Sequence, residues 1–92
     1  MHQVRIGVIG VGSLGQHHAR VYAALPDAAL VAVVDTEASR ARDIAVQHGC
    51  TWFPQVEDLF GRVDAVSVAV PTPLHHHIAK ACLGAGLHVL AK

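Results

Sequence analysis

Apolar residues in this chain follow two different spacings. Three runs, "VRIGVIG" at 4–10, "ALVAVVD" at 29–35 and "DAVSVAV" at 64–70, are almost unbroken in Val, Ile, Leu and Ala. A strand with one wet face alternates apolar and polar residues, so unbroken runs predict parallel strands covered on both faces. The shorter runs "TWF" at 51–53 and "LHVL" at 87–90 suit flanking or edge strands. Between the strands, apolar positions recur every three or four residues, predicting helices near 13–25, 37–48, 55–60 and 73–85. Leu14, His18, Val21 and Leu25 fall on one face of the first helix, and Ala41, Ile44, Ala45 and His48 on one face of the second.

Boundary residues agree with these elements. Thr36 is placed to cap the second helix and Gly49 to end it in a left-handed turn; Thr72 is placed to cap the last helix, with Pro73 at its first position, where a missing N–H costs nothing. Pro26 and Asp27 mark the turn after the first helix. Strand and helix alternate without a long linker, a low-complexity tract or an internal repeat, which predicts an α/β fold with a five-stranded parallel sheet in the order 3-2-1-4-5.

Composition narrows the function classes. Ninety-two residues suffice for one compact domain, spanning 1–92. Seven basic residues balance seven acidic ones, so no basic field exists to attract nucleic acid or an anionic membrane. Eight histidines make the net charge climb as pH falls through about 6.5. Cys50 and Cys82 form neither a metal cluster nor a disulfide scaffold, and no apolar run approaches the roughly 18 residues of a spanning helix. "MHQVR" leads straight into a strand without a signal-type apolar region, so a reduced, cytoplasmic setting is expected.

The glycines carry the candidate chemistry. Gly10, Gly12 and Gly15 form G-x-G-x-x-G after a strand and at the start of a helix. Gly10 permits the tight turn, Gly12 lets a diphosphate approach the main chain, and Gly15 lets the helix pack close to the strand. With Ser13 and Leu14 they form a cradle at a helix N-terminus whose free N–H groups favour an anion. Asp35 ends the second strand, 20 residues beyond Gly15, where a carboxylate can accept hydrogen bonds from an adenosine ribose. The bland reading of Asp35 is a helix cap. An acid here disfavours a 2′-phosphate and Thr36 adds no positive charge, so NAD is preferred; Arg40 and Arg42 keep NADP possible. The whole describes a Rossmann-like doubly wound sheet, with the cofactor in the crevice between the first and fourth strands.

Other conspicuous residues have plainer explanations. His75, His76 and His77 point about 100 degrees apart on a helix and cannot converge on one ion, so no metal site is expected. His76 and His77 are expected to face solvent. His18 lies on an apolar stripe and reads as a packed core histidine, Cys82 as a small buried hydrophobe, and Trp52 as packing.

"VRIGVIGVGSLGQHHARVYAALPDAALVAVVD", "AVQHGC" and "DAVSVAVPTPLHHHIAKACLGAGLHVL" resemble, in order and spacing, the N-terminal domain of the glucose-fructose oxidoreductase and inositol dehydrogenase (Gfo/Idh/MocA) family. The most specific part is "PTPLHHHIAKACLGAGLHVL", similar to the family's P-N-x-x-H followed by a helix ending A-G-x-H-V. The resemblance implies an NAD(P)-dependent oxidoreductase acting on hydroxyl or carbonyl carbons of sugars and cyclitols, with Val70, Pro71, Thr72 and His75 beside the nicotinamide half. In the family a Glu-Lys-Pro segment and a large substrate domain follow. Here the chain stops at "HVLAK", and Lys92 stands either at the glutamate position or as the lysine, so no residue is assigned a catalytic role.

The expectation is therefore a cofactor domain without the family's substrate domain, binding dinucleotide but turning over little by itself, and self-associating through an exposed sheet edge or an uncovered apolar face. Two alternatives stand beside it: a domain for another adenosine ligand of the S-adenosylmethionine type, and a minimised, self-associating scaffold without useful ligand binding.

Overall fold

Nine elements follow one another among the described residues: β1 (Val4–Ile9), α1 (Ser13–Ala24), β2 (Ala28–Val34), α2 (Ala38–His48), β3 (Thr51–Phe53), a 3-10 turn (Val56–Leu59), β4 (Ala65–Val68), α3 (Thr72–Gly84) and β5 (His88–Ala91). They belong to a computed structural model that describes residues 3–70 and 72–91, without the side chains of Thr72 and Ala91. Pro71, Lys92 and the capping role of the Thr72 side chain lie outside the described residues. The five strands pair in parallel in the order β3-β2-β1-β4-β5, as expected. The third expected helix, at 55–60, is a single 3-10 turn of four residues.

Alternation along the unbroken strands builds a core on each face of the sheet. Val8 and Val33 pack with Val11, Ala19, Ala41, Ile44 and Ala45 beneath α1 and α2. Their neighbours Ile9 and Val34 point the other way and pack with Val66, Val68, Leu59 and Cys82 toward α3 and the 3-10 turn. Gly7 belongs to this packing: a Cβ there would lie 2.8 Å from Leu59 Cδ1, so the bare strand position admits the fully buried leucine. Cys82 is the buried hydrophobe expected of it, and burial followed by the charge of Glu57 pushes its thiol pKa up. Trp52 packs at the margin of the first cluster.

Two local expectations are corrected. The stripe Leu14, Val21 and Leu25 does not face the core; these side chains are 52%, 41% and 46% exposed, and α1 buries Gly15 and Ala19 instead. The reason is distance. A Cβ on Gly15 would run into the carbonyl oxygen of Gly10, and at so close a crossing only glycine and alanine fit beneath the helix. The larger apolar residues are displaced to its outer flank. Only His18 turns inward from that stripe, half-buried, with Nδ1 2.8 Å from the Ser67 hydroxyl on β4.

The second correction is at α2. Thr36 is exposed and does not cap it; the N-cap is Glu37, without a side-chain cap bond, and the Glu37 N–H donates to Asp35 Oδ1 at 2.9 Å. A carboxylate two residues back is a stronger acceptor than a threonine hydroxyl. At the other end Gly49 takes φ 68 and ψ 36, the left-handed stop expected of it, and Ala41, Ile44 and Ala45 form the buried face.

Candidate functional site

β1 lies in the middle of the sheet, and the chain leaves it toward β2 on one side and returns through β4 on the other. The loops beyond the carboxyl ends of these strands therefore diverge, leaving a crevice where the strand order reverses. A cleft of about 400 Å³ occupies that position. Ile9 and Gly10 form its floor, Val34, Asp35 and Arg40 one side, and Ala69, Val70, Leu74 and Ile78 the other.

Each glycine of the turn has a distinct geometry. Gly10 has φ +87, and a Cβ there would lie 2.8 Å from Val70 Cγ1 and 2.9 Å from the Ala69 carbonyl oxygen, so the position is closed to other residues twice over. Its N–H donates to the Val34 carbonyl at 2.7 Å, tying the turn to β2. A Cβ on Gly12 would meet nothing within 4 Å: no steric demand of the fold requires glycine there, and the bare backbone borders the cleft. Gly15 is the packing glycine, set against Gly10. Beyond them, the first-turn N–H groups of α1 have no helical acceptor and, with the helix dipole, make this end electropositive.

Asp35 fastens the corner. Its Oδ2 accepts the Val11 N–H at 2.9 Å, joining β2 to the glycine turn, while Oδ1 accepts the Glu37 N–H, and Arg40 Nη2 lies 3.3 Å from Oδ2. The side chain is only 8% exposed. Burial is the largest single influence and opposes ionisation, but the N–H groups of Glu37 and Val11 and the Arg40 guanidinium together outweigh it and hold the carboxyl below the usual aspartate range. Asp35 thus bonds to the N–H ahead of α2 and also faces the cleft.

Of the residues singled out in the sequence, Gly10, Gly12, Asp35, Thr36 and Val70 line the cleft together. Ser13 opens onto a polar groove between α1 and α2, and Leu14 stands on the outer flank of α1. His75 is half-buried outside the lining, with a buried Nε2 that has no hydrogen-bond partner among the described residues. Pro54, Val56, Leu74 and Ile78 line the cleft without having been singled out. Only the four-residue spacing of Leu74 and Ile78 on α3 hinted at a shared face. No described helix is long and apolar enough to cross a membrane.

Comparison with known proteins gives this cleft a context. The model of GFO_IDH_MocA, an oxidoreductase family with an NAD-binding Rossmann fold, matches residues 4–91. UDP-N-acetylglucosamine 3-dehydrogenase of Acidithiobacillus ferrooxidans is 44% identical over 90 residues, which span 98% of this chain and 28% of that protein. Its solved structure superposes with a TM-score of 0.91 over 99% of this chain and 30% of the other. Inositol 2-dehydrogenase 1 of Saccharopolyspora erythraea is 38% identical over 94 residues, covering 97% of this chain and 28% of its own length. A scyllo-inositol dehydrogenase from Lactobacillus casei, solved with bound NAD(H) and scyllo-inositol, is 27% identical with a TM-score of 0.90, over 97% of this chain and 27% of that one. The chain thus spans less than a third of the length of these relatives.

Proposed function

The chain belongs to the GFO_IDH_MocA oxidoreductase family, whose fold is an NAD-binding Rossmann fold, and from that membership we propose that it is the dinucleotide-binding domain of a dehydrogenase acting on sugars or cyclitols. The diphosphate lies over Gly10, Gly12 and Gly15, with the Ser13 and Leu14 amides at the helix end turned to it. Asp35 and Thr36 meet the adenosine ribose. Val70, Pro71, Thr72 and His75 border the nicotinamide half. When bound, the cofactor supplies hydride transfer at a carbinol or carbonyl carbon.

One observation carries this reading: at Gly12 the fold leaves open a space that any side chain would enter, beside a helix N-terminus and a cleft-facing carboxylate. Calorimetric titration with NAD is the test. Binding is expected in the wild type and its loss in Gly12→Val, with S-adenosylmethionine giving no comparable heat. A chain that ignores NAD, or binds it equally well after Gly12→Val, refutes the assignment.

Turnover by these 92 residues alone is not expected. Asp35 and Arg40 are the titratable residues lining the described cleft, and both stand at its β2 side, away from Val70. A hydride transfer from an alcohol needs a proton acceptor and a positioned substrate at the other side. The substrate domain of the family is the source of both in this proposal, and the setting is a reduced, cytoplasmic one.

We also propose self-association. Leu14, Val21, Leu25, Val4 and Leu90 are exposed apolar side chains. Val4, Leu25 and Leu90 line a mostly apolar groove of about 400 Å³ that runs to β5, an edge of the described sheet. A second copy placing its own groove there covers both.

A further inference from the structure

Gln16 lies on the side of the glycine turn away from the cleft. It lines the polar groove between α1 and α2 while Gly12 lines the cleft, and the two depressions share no lining residue. From that side Gln16 takes two successive carbonyls of the turn. Its side-chain Nε2 donates to the Val11 carbonyl at 3.0 Å, and its backbone N–H donates to the Gly12 carbonyl at 2.8 Å. A carbonyl accepts only from the nitrogen of the side-chain amide, which fixes how that amide is turned.

A trans peptide is planar, and its N–H points opposite to its C=O. No cis bond occurs among the described residues. The two carbonyls held by Gln16 therefore turn the N–H groups of Gly12 and Ser13 away from it, and neither N–H has an acceptor among the described residues. Helix geometry alone sets the Ser13 amide. The Gly12 amide lies ahead of the helix, on a residue without Cβ whose φ can swing, so the bareness that admits an anion also lets the peptide between Val11 and Gly12 turn over. Asp35 holds the preceding peptide through the Val11 N–H at 2.9 Å. Gln16 holds this one.

We infer that Gln16 is a positioning residue: by holding the Val11 carbonyl, its side chain aims the Gly12 N–H at the cofactor diphosphate. This rests on the proposed function, because it concerns the anion of the same ligand. Turned over, the peptide would set a carbonyl oxygen against the diphosphate in place of a donor. Gln16 removes that orientation before the ligand arrives, so binding does not have to order the peptide.

The experiment titrates NAD calorimetrically into the wild type, Gln16→Met and Gln16→Lys at about 0.5 M salt, with thermal melts to verify folding. Methionine keeps the length of glutamine and lacks the donor; lysine restores a donor, and the salt screens its charge. Gln16 is exposed, so both variants are expected to melt close to the wild type. Gln16→Met is expected to bind NAD about tenfold more weakly, and Gln16→Lys to stay within about threefold of the wild type. Amide NMR at saturating NAD reads the same peptide: the Gly12 proton is expected to move downfield on binding in the wild type, and less in Gln16→Met. A Gln16→Met variant that binds NAD like the wild type overturns the inference, as do equal losses in the two variants or a Gly12 shift that the substitution leaves unchanged. A folded wild type that ignores NAD overturns the proposed function instead, and the wild-type titration tells the two failures apart.

Discussion

The carbonyl of Gly10 stands where the side chain of any other residue at position 15 would begin. This one contact sets how closely α1 crosses the sheet, and it separates two glycines that the motif treats alike. Gly15→Ala forces α1 away from the turn against backbone that cannot yield. An overpacking cost of at least about 1–3 kcal/mol is expected, which in a domain of this size lowers Tm by roughly 5 °C or more. Gly12→Val places its side chain in open space and is expected to melt close to the wild type while losing NAD. Paired melts and titrations test the contrast; equal destabilisation by the two substitutions contradicts it.

Asp35 makes stability depend on pH in one direction. Its folded carboxyl is held below the ordinary aspartate value, whereas in the unfolded chain it takes up a proton near about 3.9. Acidification below about pH 4 therefore protonates the unfolded state first and draws the equilibrium toward it. The contribution is complete above that range and is lost as pH falls through the folded value. Asp35→Asn is expected to be less stable than the wild type by a constant margin near neutrality, with the margin shrinking below about pH 4. Melting both proteins from pH 3 to 7 checks the sign, and a margin that widens on acidification contradicts the assignment.

The sheet was legible in the sequence because burial on two faces leaves a direct trace: the almost unbroken apolar runs at 4–10, 29–35 and 64–70 became the three inner strands. The left-handed stop at Gly49 was legible for a similar reason, since a glycine after a helical pattern has few other uses. The orientation of α1 was not. A stripe such as Leu14, Val21 and Leu25 reveals that apolar residues share a face, but whether anything covers that face depends on how near the helix comes to the sheet, which Gly15 and Gly10 decide between them. The bond from the Val11 N–H to Asp35 was also hidden, because it joins residues 24 apart that only the pairing of β1 and β2 brings together. Arg40 was legible as a nearby charge, but its seat on both carboxylate oxygens depends on where α2 starts.

Ser67 provides a test of the polar contact inside the sheet. It is 1% exposed among valines on β4, and its hydroxyl lies 2.8 Å from His18 Nδ1 on α1. Ser67→Ala removes one half of a part-buried hydrogen bond and is expected to cost about 1 kcal/mol in a urea titration. Ser13→Ala, at an exposed position, is the control and is expected to stay within about 0.5 kcal/mol of the wild type. If the two variants unfold together, the hydroxyl contributes nothing and the serine is merely small.

The outer flank of α1 tests the proposed self-association. Leu14, Val21 and Leu25 are each about half exposed, so replacing them removes little buried surface within the chain. Leu14→Gln, Val21→Lys and Leu25→Glu combined are expected to change the unfolding free energy of the dilute chain by no more than about 1.5 kcal/mol, since exposed substitutions rarely cost more than about 0.5 kcal/mol each. Leu25→Glu puts a charge into the groove beside Val4 and Leu90, and Leu14→Gln and Val21→Lys make the outer flank of α1 polar, where a second copy would otherwise bury apolar surface. Light scattering over a concentration series is therefore expected to give a mass above the monomer for the wild type and the monomer mass for the triple variant. A monomeric wild type at the highest concentration, or a variant that associates as strongly, shows that this flank is not where copies meet.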